Sequence, residues 1–229
     1  MKRVFSYISQ SNLWESTESV SGRGSELSCT VSLRASLPSL FEELGITSIL
    51  DAPCGDFNWM RQIPLLDITY TGMDVVPEII EQNQQQYGTS SIRFLTGDIT
   101  SNDLPQADLI ICRDCLVHLP FWYGCRALKQ FKKSRAKYLL ITTYPATTKN
   151  IDTAIGSWRS LNLCLAPFHF SPPQLLLSDP SDDTGKNLDK SLGLWRLDAI
   201  EPPKISQWNS LPIMFTSWVR EYFYPSWKL

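Results

Sequence analysis

The chain is predicted to fold as an α/β protein with a mostly parallel sheet, helices on both faces and an antiparallel edge strand. Two observations indicate this fold class. Short apolar runs that are typical of buried strands alternate with segments whose apolar residues recur at helical spacing. The chain also has 229 residues, of which 43% are hydrophobic, and this is enough to bury a large single core.

The predicted elements alternate regularly through the first two thirds of the chain. The predicted strands of the parallel part are Ser48–Asp51, Thr69–Met73, Ile92–Leu95, Asp108–Cys112 and Tyr138–Thr142. Helical spacing of apolar residues precedes the first of these strands and follows the second and the fourth. Two further strands, Leu192–Leu197 and Pro212–Trp218, are expected to pair antiparallel at the sheet edge, after a predicted loop at 178–190.

The composition separates three regions of the chain. Residues 1–25 end in a stretch rich in Ser, Gly and Glu, and we expect an N-terminal lid or leader there. Residues 26–229 are expected to form the main domain. A polar and aromatic insertion at about 145–190 is too long for an ordinary connection and is expected to cover the substrate.

Charge and cysteine usage narrow the class of partner. The net charge of −2 provides no overall field toward nucleic acid or an anionic membrane, so neither partner is expected. No apolar run approaches the roughly 20 residues that span a bilayer, and the start of the chain lacks the order of a secretory signal. The six cysteines are therefore expected to be reduced thiols of a cytoplasmic protein, whose oligomeric state the sequence leaves open.

Acidic residues stand at the ends of three successive predicted strands. Asp51 ends the first strand before a tight small-residue turn, Asp74 ends the second 23 residues later, and Asp98 follows the third. Such acids are suited to a ribose diol and an adenine amine at the carboxyl edge of a parallel sheet. The pattern predicts a nucleoside cofactor. The predicted cofactor-binding residues are Asp51, Ala52, Pro53, Cys54, Gly55, Asp74, Val75, Gly97, Asp98, Ile99 and Arg113.

The turn after the first strand resembles a known motif. The stretch Asp51–Phe57 is similar to the first motif of the class I S-adenosylmethionine-dependent methyltransferases, which usually has three glycines. Only Gly55 is kept here, and Pro53 and Phe57 stand where glycines are usual. A pyrophosphate would need the glycine turn that this loop lacks, so a dinucleotide dehydrogenase is disfavoured.

The resemblance extends over about residues 25–145. Asp74 matches the family's ribose-binding acid, Asp98 matches its adenine-side acid, and Asp108–Asp114 looks like its fourth motif. The resemblance implies a Rossmann-like fold, S-adenosyl-L-methionine as cofactor and methyl transfer. It extends weakly to the O-methyltransferase domains that decorate glycans.

Three polar residues follow the fourth predicted strand and are the candidate catalytic groups: Arg113, Asp114 and His118. His118 comes four residues after Asp114, so one helical turn would place both side chains on the same side. Asp114 would then orient His118 as a general base toward a hydroxyl acceptor. The alternative is that Asp114 caps a helix and His118 packs in the core.

A divalent metal is a further alternative at this site. Asp114 and His118 would bind it with a third ligand from Asn150, Asp152 or Asn162, and the metal would lower the pKa of the acceptor hydroxyl. Nothing in the spacing demands a metal, so the prediction is a site without one.

The insertion carries the candidate substrate-binding residues. Trp158 and Phe168 are predicted to stack on a sugar or aromatic ring, while Arg159 and Asn162 are predicted to form hydrogen bonds with it. The predicted function is methylation of a hydroxyl on a small-molecule or glycan acceptor. Alternatives are N-methylation of an amine, peptide or nucleobase, and a non-catalytic binding domain on the same fold. The insertion would otherwise be a well-packed surface flap.

The N-terminal region adds one more expectation. Trp14 and the Ser/Gly stretch around Arg23 are predicted to form a lid over the cofactor, with Arg23 pairing with its carboxylate. The alternative is a flexible leader.

Overall fold

The protein is described by a computed structural model that covers residues 1–180, 188–204, 213 and 216. Its α-helices are α1 (Lys2–Gln10), α2 (Val31–Glu43), α3 (Pro77–Tyr87) and α4 (Phe121–Ser134). Its strands are β1 (Ser48–Asp51), β2 (Thr69–Asp74), β3 (Ile92–Thr96), β4 (Leu109–Cys112), β5 (Tyr138–Thr143), β6 (Leu175–Ser178) and β7 (Ser191–Arg196).

The strands form one seven-stranded sheet in the order β3-β2-β1-β4-β5-β7-β6. Strands β1 to β5 are parallel, and β7 runs antiparallel between β5 and β6. The predicted α/β class, with its mostly parallel sheet and antiparallel edge, is confirmed. Each of the first five strands lies within one residue of its predicted bounds. A continuous apolar run marks a strand that is buried on both faces, as in β4.

The two faces of the sheet bury separate parts of the core. In β1, Ile49 packs on the side of α2, whereas its neighbour Leu50 packs on the side of α4. This alternation follows from the two-residue period of a strand. Helix α2 contributes Leu33 and Leu37 to one face, and α4 contributes Phe131 to the other, all with no exposed surface.

Two features differ from the sequence expectations. Leu175–Ser178 forms the edge strand β6, while the predicted strand Pro212–Trp218 lies outside the described residues except for residues 213 and 216. The centre of the predicted 178–190 loop, residues 181–187, also lies outside them. Helix α1 was also not predicted, and it buries Val4 and Ile8 against Ile155.

The cysteines and helices bear on two further expectations. All six cysteines are free thiols, as predicted. In residues 1–180 and 188–204, no helix is both long and apolar enough to cross a membrane.

Candidate functional site

A pocket lies at the carboxyl ends of β1 to β4, where a parallel sheet commonly binds its ligand. It brings together every predicted cofactor-binding residue except Ala52, which is fully buried in the core. The predicted residues that line it are Asp51, Pro53, Cys54, Gly55, Asp74, Val75, Gly97, Asp98, Ile99 and Arg113, together with Asp114 and His118. Acids that are distant in sequence therefore share one site.

The turn after β1 brings its backbone close to the pocket at Gly55. Gly55 has φ +52°, and a Cβ there would collide with the Ser21 hydroxyl, so glycine is required. Its N–H donates to Asp74 Oδ2 at 3.1 Å, and the Asn83 side-chain amide donates to its carbonyl at 2.8 Å. These contacts hold the turn in place at the edge of the pocket.

Phe57 explains why this turn works without its usual third glycine. It also has a positive φ, +59°, but its side chain is buried among Tyr70, Tyr87 and Phe94. Aromatic packing of this kind can offset the strain of a left-handed backbone at a residue with a Cβ. The departure from the glycine motif is therefore compensated by core packing.

Asp51 is a buried carboxylate at the floor of the pocket. Burial raises the pKa of Asp51 to about 7, although the Tyr70 hydroxyl donates to its Oδ2 at 2.7 Å and Arg113 attracts its charged form. A carboxyl group with such a pKa is only partly ionised at neutral pH. A positively charged ligand beside it would favour the ionised form.

Asp74 and Asp98 each hold the backbone around them and face the pocket. Asp74 accepts hydrogen bonds from the Val76 and Gly55 N–H groups, while burial raises its pKa. Asp98 Oδ1 accepts from the N–H and hydroxyl of Thr100. Asp98 Oδ2 has no hydrogen-bond partner among the described residues. Acceptor oxygens at the ends of β2 and β3 suit a ribose and an adenine.

Arg113 lines the pocket, but its contacts contradict a catalytic role. It is buried, and its Nε and Nη2 donate to the two oxygens of Asp179 at 2.9 and 2.8 Å. Nη2 also donates to the Gly24 carbonyl, and the guanidinium lies over the ring of Trp59. Arg113 therefore joins β4 to the edge of the sheet and to the N-terminal segment.

Asp114 is bound by a buried lysine that the sequence analysis missed. Lys190 has 1% of its side chain exposed, and its Nζ contacts Asp114 Oδ2 at 2.5 Å and Asp179 Oδ2 at 3.1 Å. Burial acts to raise the pKa of Asp114, but Lys190 and Arg113 outweigh it and the pKa lies below its usual value. The four charges of Arg113, Lys190, Asp114 and Asp179 form a neutral cluster.

The predicted pairing of Asp114 with His118 is wrong. Asp114 has φ +49°, so the chain turns there instead of continuing as a helix, and a 3-10 turn follows at Leu116–His118. Within the described residues, Asp114 forms its hydrogen bonds with Lys190 and Thr142 and none with His118. The spacing of four residues indicates a shared face only where a helix exists.

His118 is oriented by the insertion and by the N-terminal segment. Its Nδ1 lies 3.2 Å from the Ser157 carbonyl, which can only accept, so Nδ1 carries the proton. Its ring stacks on Trp14 at a centroid distance of 5.0 Å. Burial lowers the pKa of His118 to about 4, against the attraction of Asp114, so the imidazole is neutral at pH 7. Nε2 is thereby left as an acceptor with no partner among the described residues.

The N-terminal segment forms one wall of the pocket and is fixed to the body. The carboxylate of Asp56 accepts from the Ser19 hydroxyl and the Val20 N–H, and Asn58 donates to Glu18 and to the Ser25 carbonyl. Seven residues of the segment line the pocket: Met1, Phe5, Ser9, Trp14, Val20, Ser21 and Ser25. The segment therefore lies against the pocket, and its role as a lid over a cofactor stays a prediction.

Arg23 does not take the predicted part in this wall. It is exposed, does not line the pocket, and donates from Nε to the Glu15 carbonyl at 3.0 Å. These contacts contradict its expected pairing with a cofactor carboxylate.

The four predicted substrate-binding residues do not line the pocket. Arg159 donates to the carbonyls of Leu116, Leu119 and Ile151 at 2.6 to 3.0 Å, and it stacks on Phe121. It therefore holds the loop after β4 to the insertion. This contradicts its predicted role in binding substrate.

The other three residues of this set are also engaged elsewhere. The Asn162 side chain donates to two backbone carbonyls and accepts from Cys164, so its polar atoms are satisfied. Phe168 is 2% exposed and packs on Phe121. Trp158 is 48% exposed but packs against Tyr144 outside the pocket. The predicted roles of Asn162 and Phe168 are contradicted.

The residues offered as further metal ligands also have structural partners. The Asn150 amide donates to the carbonyls of Asn162 and Ala166, and Asp152 accepts from the Phe121 and Thr153 N–H groups. Residues 1–180 and 188–204 contain no group of three His, Cys, Asp or Glu arranged to hold a metal. The alternative of a metal bound through these residues has no support in the geometry.

Comparisons with known proteins agree with this geometry. Residues 50–134 match a family model described as a methyltransferase domain. The chain is similar to human N-acetylserotonin methyltransferase in complex with SAM (TM-score 0.52, 17% identity), covering 71% of this chain and 51% of that one. It is also similar to the methyltransferase domain of a bacterial CtHen1 protein (TM-score 0.50, 12% identity), covering 72% and 97%.

The similar structures show the fold, and the family model matches only residues 50–134. The chain spans about half the length of the human structure. No curated protein sequence matches it.

Proposed function

We propose that the chain is a class I S-adenosylmethionine-dependent methyltransferase and that it methylates a hydroxyl group of a small-molecule acceptor. The observation that carries this proposal is His118, a neutral imidazole in the same pocket as Asp51, Asp74 and Asp98. A hydroxyl must lose its proton as it is methylated, whereas the protein can otherwise work by alignment and exclusion of water.

The residues of the pocket fit the cofactor. Asp74 would accept the ribose diol, Asp98 Oδ2 the adenine amine, and Asp51 would hold the ammonium group of the amino-acid tail. The bound cofactor supplies a methyl group on a positively charged sulfur, so the acceptor oxygen gains that methyl and the sulfur keeps the bonding electron pair. The fit rests on acceptor oxygens at three neighbouring strand ends that line one pocket.

His118 would take the acceptor's proton at Nε2. The Ser157 carbonyl fixes the tautomer by accepting from Nδ1, and Trp14 fixes the plane of the ring. Asp114, close enough to raise the pKa of His118, would stabilise the imidazolium that forms. Asp114 would therefore assist proton transfer to His118 through its charge, without the hydrogen bond that the sequence suggested.

The charge of Asp114 also bears on the alternative of N-methylation. An ammonium acceptor would need an unpaired carboxylate, but Asp114 is already paired with Lys190 and lies 3.5 Å from Arg113. A sugar hydroxyl stays within the proposed class, although the insertion residues that suggested it have structural contacts instead.

The test compares the chain's two histidines. His118→Asn is expected to lower kcat by about 10²-fold or more, the usual effect of losing a general base, with the dissociation constant of S-adenosylmethionine within about twofold of wild type. Release of S-adenosylhomocysteine measures turnover with a panel of hydroxyl acceptors, and calorimetry measures cofactor binding.

The matched control is His169→Asn, because His169 is exposed and lies outside this pocket. Near-normal turnover by His118→Asn, or a product methylated on nitrogen, would disprove the proposal. Asp74→Ala is expected to abolish cofactor binding, which separates loss of the cofactor from loss of the base.

A further inference from the structure

One side of the pocket is apolar and aromatic. It consists of Met1, Phe5, Trp14 and Leu119 around His118, and we name these four residues the apolar wall. The Trp14 ring lies 5.0 Å from the His118 ring at 31°, and the Phe5 ring lies 6.3 Å from Trp14. The base is therefore bordered by aromatic surface.

We propose that the acceptor is a flat aromatic ring without negative charge that carries the reacting hydroxyl, and that Trp14 is the residue that selects it. The proposal rests on the proposed hydroxyl methylation. An aromatic ring gains from offset or edge contacts with Trp14 beyond the area it buries. Such contacts hold the ring, and thus its hydroxyl, beside His118 Nε2.

The apolar wall disfavours a sugar. A sugar ring carries several hydroxyls, and each one left without a partner in a closed pocket costs binding free energy. The side chains of Met1, Phe5 and Leu119 offer no hydrogen-bond donors or good acceptors. An aromatic acceptor has fewer polar groups to satisfy, so it suits this wall better.

The charges around the pocket disfavour an anionic acceptor. Arg113 is held by Asp179 and the Gly24 carbonyl, and Lys190 is held by Asp114 and Asp179. In the described part of the chain, no lysine and no other arginine lines the pocket. Among the described residues, a phosphate or carboxylate on the acceptor would find no unpaired lysine or arginine side chain in this lining, and it would lie near several carboxylates.

The weak basicity of His118 agrees with this class of acceptor. Burial lowers the pKa of His118 to about 4, so it accepts a proton best from a comparatively acidic hydroxyl. A phenolic hydroxyl, with a pKa of about 10 as in tyrosine, is far more acidic than water at about 15.7. His118 and the apolar wall thus both favour an aromatic acceptor with a phenolic hydroxyl.

The experiment offers the full chain four acceptors with S-adenosylmethionine: 2-naphthol, methyl glucoside, 2-naphthylamine and a hydroxynaphthoate. We expect O-methylation of 2-naphthol and little turnover of the glucoside or the naphthoate. Trp14→Leu is expected to raise the KM for 2-naphthol about tenfold, since contacts of this kind contribute about 1.4 kcal/mol. Its cofactor dissociation constant is expected to stay within about twofold.

Trp158→Leu is the matched control, because Trp158 is one of the two rings that the sequence predicted to stack on the substrate and it lies outside the pocket. This variant is expected to leave the KM for 2-naphthol and the cofactor dissociation constant unchanged. Trp14→Phe, which keeps a ring at the site, is expected to retain most of the affinity for 2-naphthol even if Trp14→Leu folds poorly.

The outcomes separate this inference from the proposed function. Methylation of the glucoside but not of 2-naphthol would overturn the aromatic acceptor and leave hydroxyl methylation standing. Methylation of the naphthylamine alone would overturn hydroxyl methylation and support the aromatic wall. A protein that binds the cofactor and turns over none of the four, or equal KM values for the Trp14→Leu and Trp158→Leu variants, would overturn the inference.

Discussion

The N-terminal segment, residues 1–25, and the insertion around 145–173 make a sharp contrast. The insertion has the side chains expected of a substrate site, but Arg159 and Asn162 donate to backbone carbonyls within the domain. The N-terminal segment ends in a Ser/Gly stretch typical of a flexible leader, but it provides Phe5 and Trp14 to the pocket. Residue type alone therefore does not tell which segment contacts a ligand.

The reason for the contrast is the backbone. A long connection without regular structure leaves many N–H and C=O groups that need partners, and its polar side chains supply them. Helix α1 satisfies its own backbone, so its side chains are free to face in two directions. Val4 and Ile8 anchor it on the insertion, while Met1 and Phe5 face the pocket.

The largest effect is expected for Arg159→Ala. If Arg159 is structural, its loss leaves three carbonyls without a charged donor and lowers the free energy of unfolding by roughly 3 kcal/mol. Urea denaturation measures this change. Arg196→Ala is the control, because Arg196 forms an exposed pair with Asp198 and its loss is expected to have little effect. If Arg159→Ala leaves the free energy of unfolding unchanged but raises the KM for the acceptor, Arg159 binds the substrate as the sequence predicted.

A smaller effect is expected where the two segments touch, at Gly156. Its φ is +79°, and a Cβ there would lie 2.9 Å from Val4 Cγ1 and 3.0 Å from Ile8 Cδ1. Gly156→Ala is expected to lower the free energy of unfolding by about 2 kcal/mol and to weaken acceptor binding, because α1 must move.

The matched control for this variant is Gly45→Ala. Gly45 has φ +61° with nothing within 4 Å of an added Cβ, so it reports the backbone strain alone, about 1 kcal/mol. Equal losses for the two variants would mean that α1 adapts without cost and that its close packing on the insertion is unimportant.

The sheet and the cofactor side of the pocket were predictable because both follow from local patterns. Apolar runs mark buried strands, and an acid at a strand end must lie at the carboxyl edge wherever the strand sits in a parallel sheet. This accounts for Asp51, Asp74 and Asp98 lining one pocket. Their predicted roles in binding the cofactor stay predictions.

The acceptor side was not predictable because it depends on contacts between distant segments. Asp114 is bound by Lys190, 76 residues away, and Arg113 by Asp179, 66 residues away. The turn at Asp114 needs a positive φ, which aspartate adopts more readily than most residues but which no local pattern requires here. Helix α1 was missed because only Val4 and Ile8 are buried in it.

The pH dependence of turnover and of cofactor binding is expected to reflect one titratable group in each part of the pocket. Burial keeps His118 neutral well above pH 4, although the hydrogen bond to the insertion's Ser157 carbonyl favours the protonated ring, so turnover at saturating substrates is expected to be flat between pH 6 and 7. Asp51, on the cofactor side, has its pKa raised to about 7 by burial, with Tyr70, Arg113 and Asp74 as its charged or hydrogen-bonding neighbours.

The smallest effect is therefore expected in cofactor affinity against pH. The ionised fraction of Asp51 rises about fivefold from pH 6 to 7, and a cationic cofactor binds the ionised form better, so its affinity is expected to rise by about that factor. Stability has the opposite sign. The folded state keeps a proton on Asp51 that the unfolded chain releases above about pH 4, so this group lowers stability as pH rises toward 7.

Calorimetry of wild type and Asp51→Asn with S-adenosylmethionine at the two pH values makes the check. The variant keeps an acceptor for the Tyr70 hydroxyl and is expected to bind more weakly with no pH dependence. A fivefold rise that persists in Asp51→Asn would move the titration to another group. A flat wild-type profile would mean that the ionisation of Asp51 does not affect cofactor binding, so that the cofactor's amino group is held elsewhere.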